Sequence, residues 1–267
     1  MIPQALKIVW LQRQLFQKLL NRDFNERYQG SYFGLLWSFF LPLLSLLVFT
    51  LFFGVIFQSR WGKGGNESIA QFAVILFVGM TIYGFVAECM SRSPSLILNR
   101  QSYVKNVVFP LELLPVVLVT SAAINLSIGF VVIFLMQIFF YGGIQWTFIF
   151  LPVIFCPLIL LGLGISWFLS SLGVYVRDTQ QIVIPLVQLL MFLSPVFYPL
   201  STLPDFLRPW LALNPLALII EQAREVAIFG QIPAWDSYFA ILAFSIVIAL
   251  LGGYWFRRTR KGFADVI

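Results

Sequence analysis

The run LLPVVLVTSAAINLSIGFVVIFLMQIFF, Leu113 to Phe140, holds twenty-eight residues without a single charge. At 1.5 Å rise per residue a helix of that length reaches about 42 Å, more than the ~30 Å of hydrocarbon in a bilayer. A chain crossing that layer must pair every backbone polar group within itself, which only a helix or a closed barrel achieves. Working outward with the same ruler, Gly34 to Phe57, Thr147 to Leu172, Thr179 to Leu200 and Ser237 to Phe256 are also free of charge, and Ala70 to Met90 carries only Glu88. The expected fold is an all-α polytopic membrane protein with six transmembrane helices, spanning 34–57, 70–90, 113–140, 147–172, 179–200 and 237–256.

Composition agrees with that reading. Of 267 residues, 60% are hydrophobic and 10% charged, with a mean hydropathy of +0.91. Soluble domains run nearer ~45–50% apolar and ~25% charged, so a soluble enzyme, a disordered chain and a disulfide scaffold are excluded. The first apolar run begins too late, and lacks the small-residue cleavage site, for a cleaved signal peptide. Cys89 and Cys156 both fall in apolar runs and read as buried thiols rather than a disulfide.

Lysine and arginine favour the cytoplasmic side of a membrane. With the N-terminus inside, thirteen of the seventeen fall on inner segments and only Arg60, Lys63, Arg208 and Arg224 on outer loops. Both termini are therefore expected in the cytoplasm. The basic balance reflects topology and anionic headgroups, and nucleic acid is not an expected partner.

Between the spans lie three unusual segments. Residues 1–33 form a cytoplasmic unit ahead of the 34–267 transmembrane domain. There Ile8, Leu11, Leu15 and Leu19 recur at helical spacing, an in-plane amphipathic helix that serves either as an anchor or as a lateral gate or partner contact. Residues 93–110, between spans 2 and 3, suggest one helix over Ser95 to Val108 stopped by Pro110. Arg100 and Lys105 would be exposed, and Leu96, Ile97, Tyr103, Val104 and Val107 free to dock into a partner or pack beneath their own bundle. Residues 201–236 are too apolar for a solvated loop. Asn214 caps a helix with Pro215 at its first position and Gly230 near its end, and another short helix fits between Pro204 and Leu213. Too short to cross, these two read as re-entrant helices forming a pore mouth or as surface helices packing the bundle.

Chemistry is sparse. There is no His and no GxxxxGK[ST] phosphate loop, so neither a His-dependent triad nor ATP binding by that route is available. No catalytic residue and no metal site is expected. Arg177 and Asp178 read as a topology-fixing pair at a turn. Glu88 and Glu112 lie near the inner ends of spans 2 and 3, expected to snorkel or to pair with Arg92 or Lys105. Aromatic rings crowd the approach to span 1, including Tyr28, Tyr32, Phe33, Trp37 and Phe40, and the outer end of span 5, at Phe197 and Tyr198. Interfacial belts account for such rings; the sharper reading is that some line a channel and offer flat faces to the C–H faces of sugars.

Four strings carry a resemblance: RDFNERYQGSYFGLLWSFFLPLL (Arg22 to Leu44), YVKNVVFPLELLPVV (Tyr103 to Val117), GVYVRDTQQIV (Gly173 to Val183) and SPVFYPLSTLPDFLRPWLALNPLALIIEQAREV (Ser194 to Val226). In order and over nearly the whole chain, they resemble the polysaccharide and polyol-phosphate branch of ABC type-2 permeases, the membrane subunits that export O-antigen, capsule or teichoic acid. The resemblance implies a homodimer in the plasma (inner) membrane with two copies of a separate ATPase, ATP and Mg being bound by that partner. It implies coupling through Arg100, Tyr103, Val104 and Lys105, and access for a lipid-diphosphate-linked glycan near Arg22, Arg27 and Tyr28. An exporter of a drug or small lipid, and an ATP-independent channel, are the competing expectations.

Overall fold

The computed structural model describes residues 10–28, 32–57, 61, 68–105, 109–199, 204, 206 and 213–266; within its helices the side chains of Tyr28, Leu35, Ser38, Val104 and Lys105 lie outside the description. Among the described residues all regular structure is helical. In chain order the helices are α1 (Arg13–Tyr28), α2 (Trp37–Phe49), α3 (Ile69–Arg92), α4 (Gln101–Lys105), α5 (Leu113–Tyr141), α6 (Leu151–Tyr175), α7 (Thr179–Leu193), α8 (Pro215–Ala227), α9 (Trp235–Thr259) and α10 (Phe263–Val266). A π-helical stretch, Thr50–Ile56, continues α2, and a 3-10 turn, Trp146–Phe150, leads into α6.

Among the described residues, five helical segments have the length and composition to cross a membrane: Phe39–Ile56, Ile69–Arg92, Leu113–Tyr141, Trp146–Tyr175 and Trp235–Val266. The run expected to span 179–200 is helical only to Leu193, fifteen residues, about 22 Å. Ser194 turns extended (φ −110°, ψ 147°) because the ring of Pro195 disfavours α geometry in the residue before it. Leu200 lies outside the described residues, as does most of the short helix expected between Pro204 and Leu213.

Sequence signals fix several ends. Ser68 opens α3 with a capping box, accepting from the Gln71 N–H while Gln71 accepts from the Ser68 N–H. Gly142, at φ 72°, ends α5 in the left-handed conformation that glycine adopts without strain. Asn214 caps α8, with Pro215 at its first position.

The core is built on α3, the most buried span, which packs against α5, α6, α7 and α8. The closest approach is between α6 and α9. A Cβ on Gly252 would stand 2.1 Å from the Gly164 carbonyl oxygen, and one on Gly164 2.5 Å from that of Ile248. Small residues there let backbones touch and gain dispersion contacts that lipid does not supply. By contrast only 11% of the Phe39–Ile56 window is buried.

Helix ends are satisfied by polar side chains from neighbours. The Gln137 amide donates to the Ala227 carbonyl, and Thr147 donates to Val226 at 2.5 Å, so two terminal carbonyls of α8 are paired. Glu112 pairs with Arg260 of the C-terminal end, and Glu88 with Arg92 as expected; the Lys105 side chain lies outside the description. Cys89 is buried, and Cys156 is exposed on the apolar surface instead of buried as expected.

Candidate functional site: an aromatic groove with a charged end

Between α2, α3, α5 and the end of α7 lies a cavity of about 680 Å³. One wall is α2, through Trp37, Leu41, Ser45 and Phe49. Opposite stand Phe77, Thr81, Gly84 and Phe85 of α3 and Asn125 of α5, each at a position where helical periodicity turns it to the same side. Gly84 has nothing within 4 Å of where a Cβ would be, so it widens the space. Rings and aliphatic chains dominate this lining, and its charges gather at one end.

That end is formed where α1 crosses the finish of α3 and the start of α5. Arg27 donates to Glu88 and, at 3.1 Å, to Ser121. Glu88 also accepts from Arg92 at 2.8 Å and from the Asn125 amide at 3.0 Å. Behind this pair, Asp23, only 1% exposed, accepts from Arg92 at 2.7 Å and from Arg100 at 3.2 Å. Arg22 donates to Glu26 at 2.5 Å and to the Tyr103 hydroxyl at 3.1 Å, and Arg100 reaches Glu26 at 3.4 Å. A second cavity, about 440 Å³, is lined by Asp23, Glu26, Arg27, Glu88 and Arg92.

Burial works to raise the Asp23 carboxyl, but Arg92, with help from Ser121 and Arg100, outweighs it and holds the carboxyl below its ordinary value. The hydrogen bond from Arg22 lowers Glu26 in the same direction. The hub thus gathers four guanidinium groups, of Arg22, Arg27, Arg92 and Arg100, around the three carboxylates of Asp23, Glu26 and Glu88.

The opposite end is closed by rings. Phe197 stacks on Phe53 at 4.7 Å with an 11° tilt and lies 4.8 Å from Phe49. Tyr198 donates to the Phe192 carbonyl at 2.7 Å.

Of the residues expected to line a channel, Arg27, Trp37 and Phe197 meet in the groove. Arg22 belongs to the hub. Tyr32, Phe33 and Phe40 are exposed, with Phe33 set edge-on to Trp37 at 5.8 Å and to Phe40 at 6.3 Å. Tyr198 stands beside the groove, and the Tyr28 side chain is outside the description. In the segment after α3, Arg100 is held by Asp23 and Glu26 with its side chain 12% exposed, so the expectation that it points to solvent is corrected. Leu96 and Ile97 are buried in the chain's own core and are not available to a partner. Of the single helix expected over Ser95 to Val108, the described part, to Lys105, is instead turns, a 3-10 turn Leu98–Arg100 and α4, and residues 106–108 lie outside the described residues. Tyr103 stacks on Phe109 at 4.6 Å, and the side chains of Val104 and Lys105 are outside the description.

Sequence reading missed Asp23, Ser121 and Asn125. A signal for the first was present: in RDFNER, Arg22 precedes Glu26, and Asp23 precedes Arg27, by four residues, two interlocking helical pairs.

These features define a polytopic helical membrane protein with a groove walled by rings, flanked at one end by ion pairs and at the other by phenylalanines. The chain belongs to the ABC-2 type transporter family, whose profile matches residues 14–228. It is 27% identical to the O-antigen export system permease protein RfbA of Myxococcus xanthus over 97% of this chain and all of that protein. It is 24% identical to the polysialic acid transport protein KpsM of Escherichia coli, covering 91% of this chain and 92% of that one. With the capsule polysaccharide export inner-membrane protein CtrC of Neisseria meningitidis the figures are 23%, 96% and 95%.

Proposed function

We propose that this chain is the membrane-spanning subunit of an ATP-driven exporter that moves a lipid-linked polysaccharide outward across the plasma membrane. The relatives named for O-antigen export point to that cargo first, with capsular or teichoic-acid polymers as members of the same chemical class. Two copies work with two copies of a separate ATPase, which binds ATP and Mg. Both termini, α1 and the segment after α3 face the cytoplasm.

The observation that carries the proposal is the groove. Its aromatic and aliphatic walls give a polymer broad contact with sugar C–H faces and few fixed ionic wells, so successive residues hold without sticking. The charged end supplies what the head of such a substrate needs. Arg27 lies in the groove wall and Arg22, more exposed, beside it, in the position where a diphosphate would arrive. Arg100 ties the ATPase-facing segment to α1, so movement of that segment reaches the groove through Asp23, Arg92 and Glu88.

Deletion of the gene tests the function. Surface polysaccharide should disappear while lipid-linked glycan accumulates inside the cell, and a plasmid copy should restore export. Undiminished surface glycan, with loss of efflux of a small lipid or drug instead, refutes the proposal.

A further inference from the structure

Phe197 lines the far end of the groove, and the carbonyls of the two residues before it are held by an arginine on another helix. Arg224 of α8 is 0% exposed. Its Nε donates to the Ile75 carbonyl at 3.2 Å, Nη1 to Pro195 at 2.5 Å and Nη2 to Val196 at 2.8 Å. Glu221 lies 3.4 Å from Nη1, and the guanidinium sits 4.2 Å from the centre of the Trp61 ring. Helical spacing groups Arg224 with the polar Glu221 and Glu225, yet its side chain is fully buried.

Burying a guanidinium is costly, and the cost falls only when its donors are matched by acceptors. Two of the acceptors, the Pro195 and Val196 carbonyls, lie beyond the end of α7, whereas the third, that of Ile75, belongs to α3. Because α7 ends at Leu193, the Pro195 and Val196 carbonyls have no acceptor role within a helix, and an unpaired carbonyl at membrane depth costs several kcal/mol. Arg224 supplies the missing donors for the two residues that precede Phe197. Room for it is made by Gly79, where a Cβ would stand 2.4 Å from Nη2 and 3.3 Å from the Val196 Cα. Val196 and Phe197 both line the end of the groove.

We propose that Arg224 is a positioning residue for the groove's closure: it fixes Pro195 and Val196 so that the Phe197 ring is held against Phe49 and Phe53, and it makes α8 and that ring move together. Opening the groove at this end then requires withdrawal of α8 as well as rotation of one side chain. The idea rests on the groove being the path of the cargo, but closure is measurable without any cargo.

The test uses the full-length protein in its membrane, with Ser45→Cys in the groove wall as reporter and Cys156→Ser to remove the exposed thiol. A membrane-impermeant maleimide is added on the Phe197 side. Labelling of the parent should be slow, and Phe197→Ala should speed it by roughly tenfold or more, the factor that a small loss of closing energy produces. Arg224→Lys, whose ammonium does not span three carbonyls, and Gly79→Ala, which displaces the guanidinium while retaining Arg224 and Phe197, should speed it too. Should Arg224→Lys fail to fold, the other two variants decide. Labelling that stays at the parent rate in folded Gly79→Ala and Phe197→Ala overturns the proposal, whether or not the chain exports polysaccharide. Faster labelling in Phe197→Ala but not in Gly79→Ala or Arg224→Lys overturns the role of Arg224.

Discussion

Asp23 and Arg100 stand 77 residues apart in the chain and 3.2 Å apart in space. The contact joins the helix that precedes the first span to the segment that follows the second. Asp23 is shared with Arg92, which in turn holds Glu88 in the groove wall. Three ion pairs in series therefore connect Arg100 to Glu88 in the groove wall.

Breaking that contact should uncouple the subunits. Removing one partner of a buried pair leaves the other unmatched, at about 3–5 kcal/mol. Arg100→Glu in the complex with the ATPase is expected to abolish stimulated ATP hydrolysis while leaving membrane insertion intact. The double variant Asp23→Arg with Arg100→Asp should recover part of it. Stimulation that survives Arg100→Glu in reconstituted vesicles counts against transmission through this pair.

Acid should loosen the same hub in a narrow window. Because the folded carboxyl of Asp23 titrates below its ordinary value, its stabilising effect is complete above the unfolded value, about 3.9, and is lost as pH falls through the lower folded value. The difference in melting temperature between the parent and Asp23→Asn should be constant from pH 7 to about 5 and shrink below about 4. A difference that grows on acidification would show that the carboxyl is raised.

Packing of α6 on α9 leaves no room for side chains. Gly252→Leu and Gly164→Leu meet backbone rather than a movable side chain, so a cost at or above the usual ~1–3 kcal/mol of overpacking is expected. Fluorescence-detected gel filtration after heating should show both variants aggregating at lower temperature. A parent-like profile for Gly252→Leu would mean that the helices stand further apart than described.

Gly84 offers the converse experiment. A side chain there meets nothing of the protein and projects into the groove. Gly84→Ala should leave fold and export nearly unchanged, whereas Gly84→Trp should keep the fold and the ATPase complex but slow export severalfold, as read by surface glycan. Normal export with Gly84→Trp would move the path of the cargo elsewhere.

The five long apolar runs were legible because length and the absence of charge are dictated by the bilayer itself. The cap at Asn214 and the apolar face of α8 were legible for a similar reason, since local chemistry determines both. Less visible was whatever depends on a distant neighbour. Arg224 follows Glu221 at polar spacing along α8, and only the end of α7, whose Pro195 and Val196 carbonyls it pairs, explains why it is inside. Arg100 looked exposed because its partner Asp23 lies on a helix whose apolar stripe drew the reading to the opposite face. Nor does composition mark where a helix widens to π geometry, as at Thr50–Ile56.

The light attachment of the first span has a bearing on where the chain tolerates substitution. Substitutions in a tightly packed interior must be matched by neighbours, whereas those on a helix with one-ninth of its window covered carry little such debt. A substitution on the open face of α2 is therefore expected to disturb the fold less than one at Gly164 or Gly252, where α6 and α9 touch.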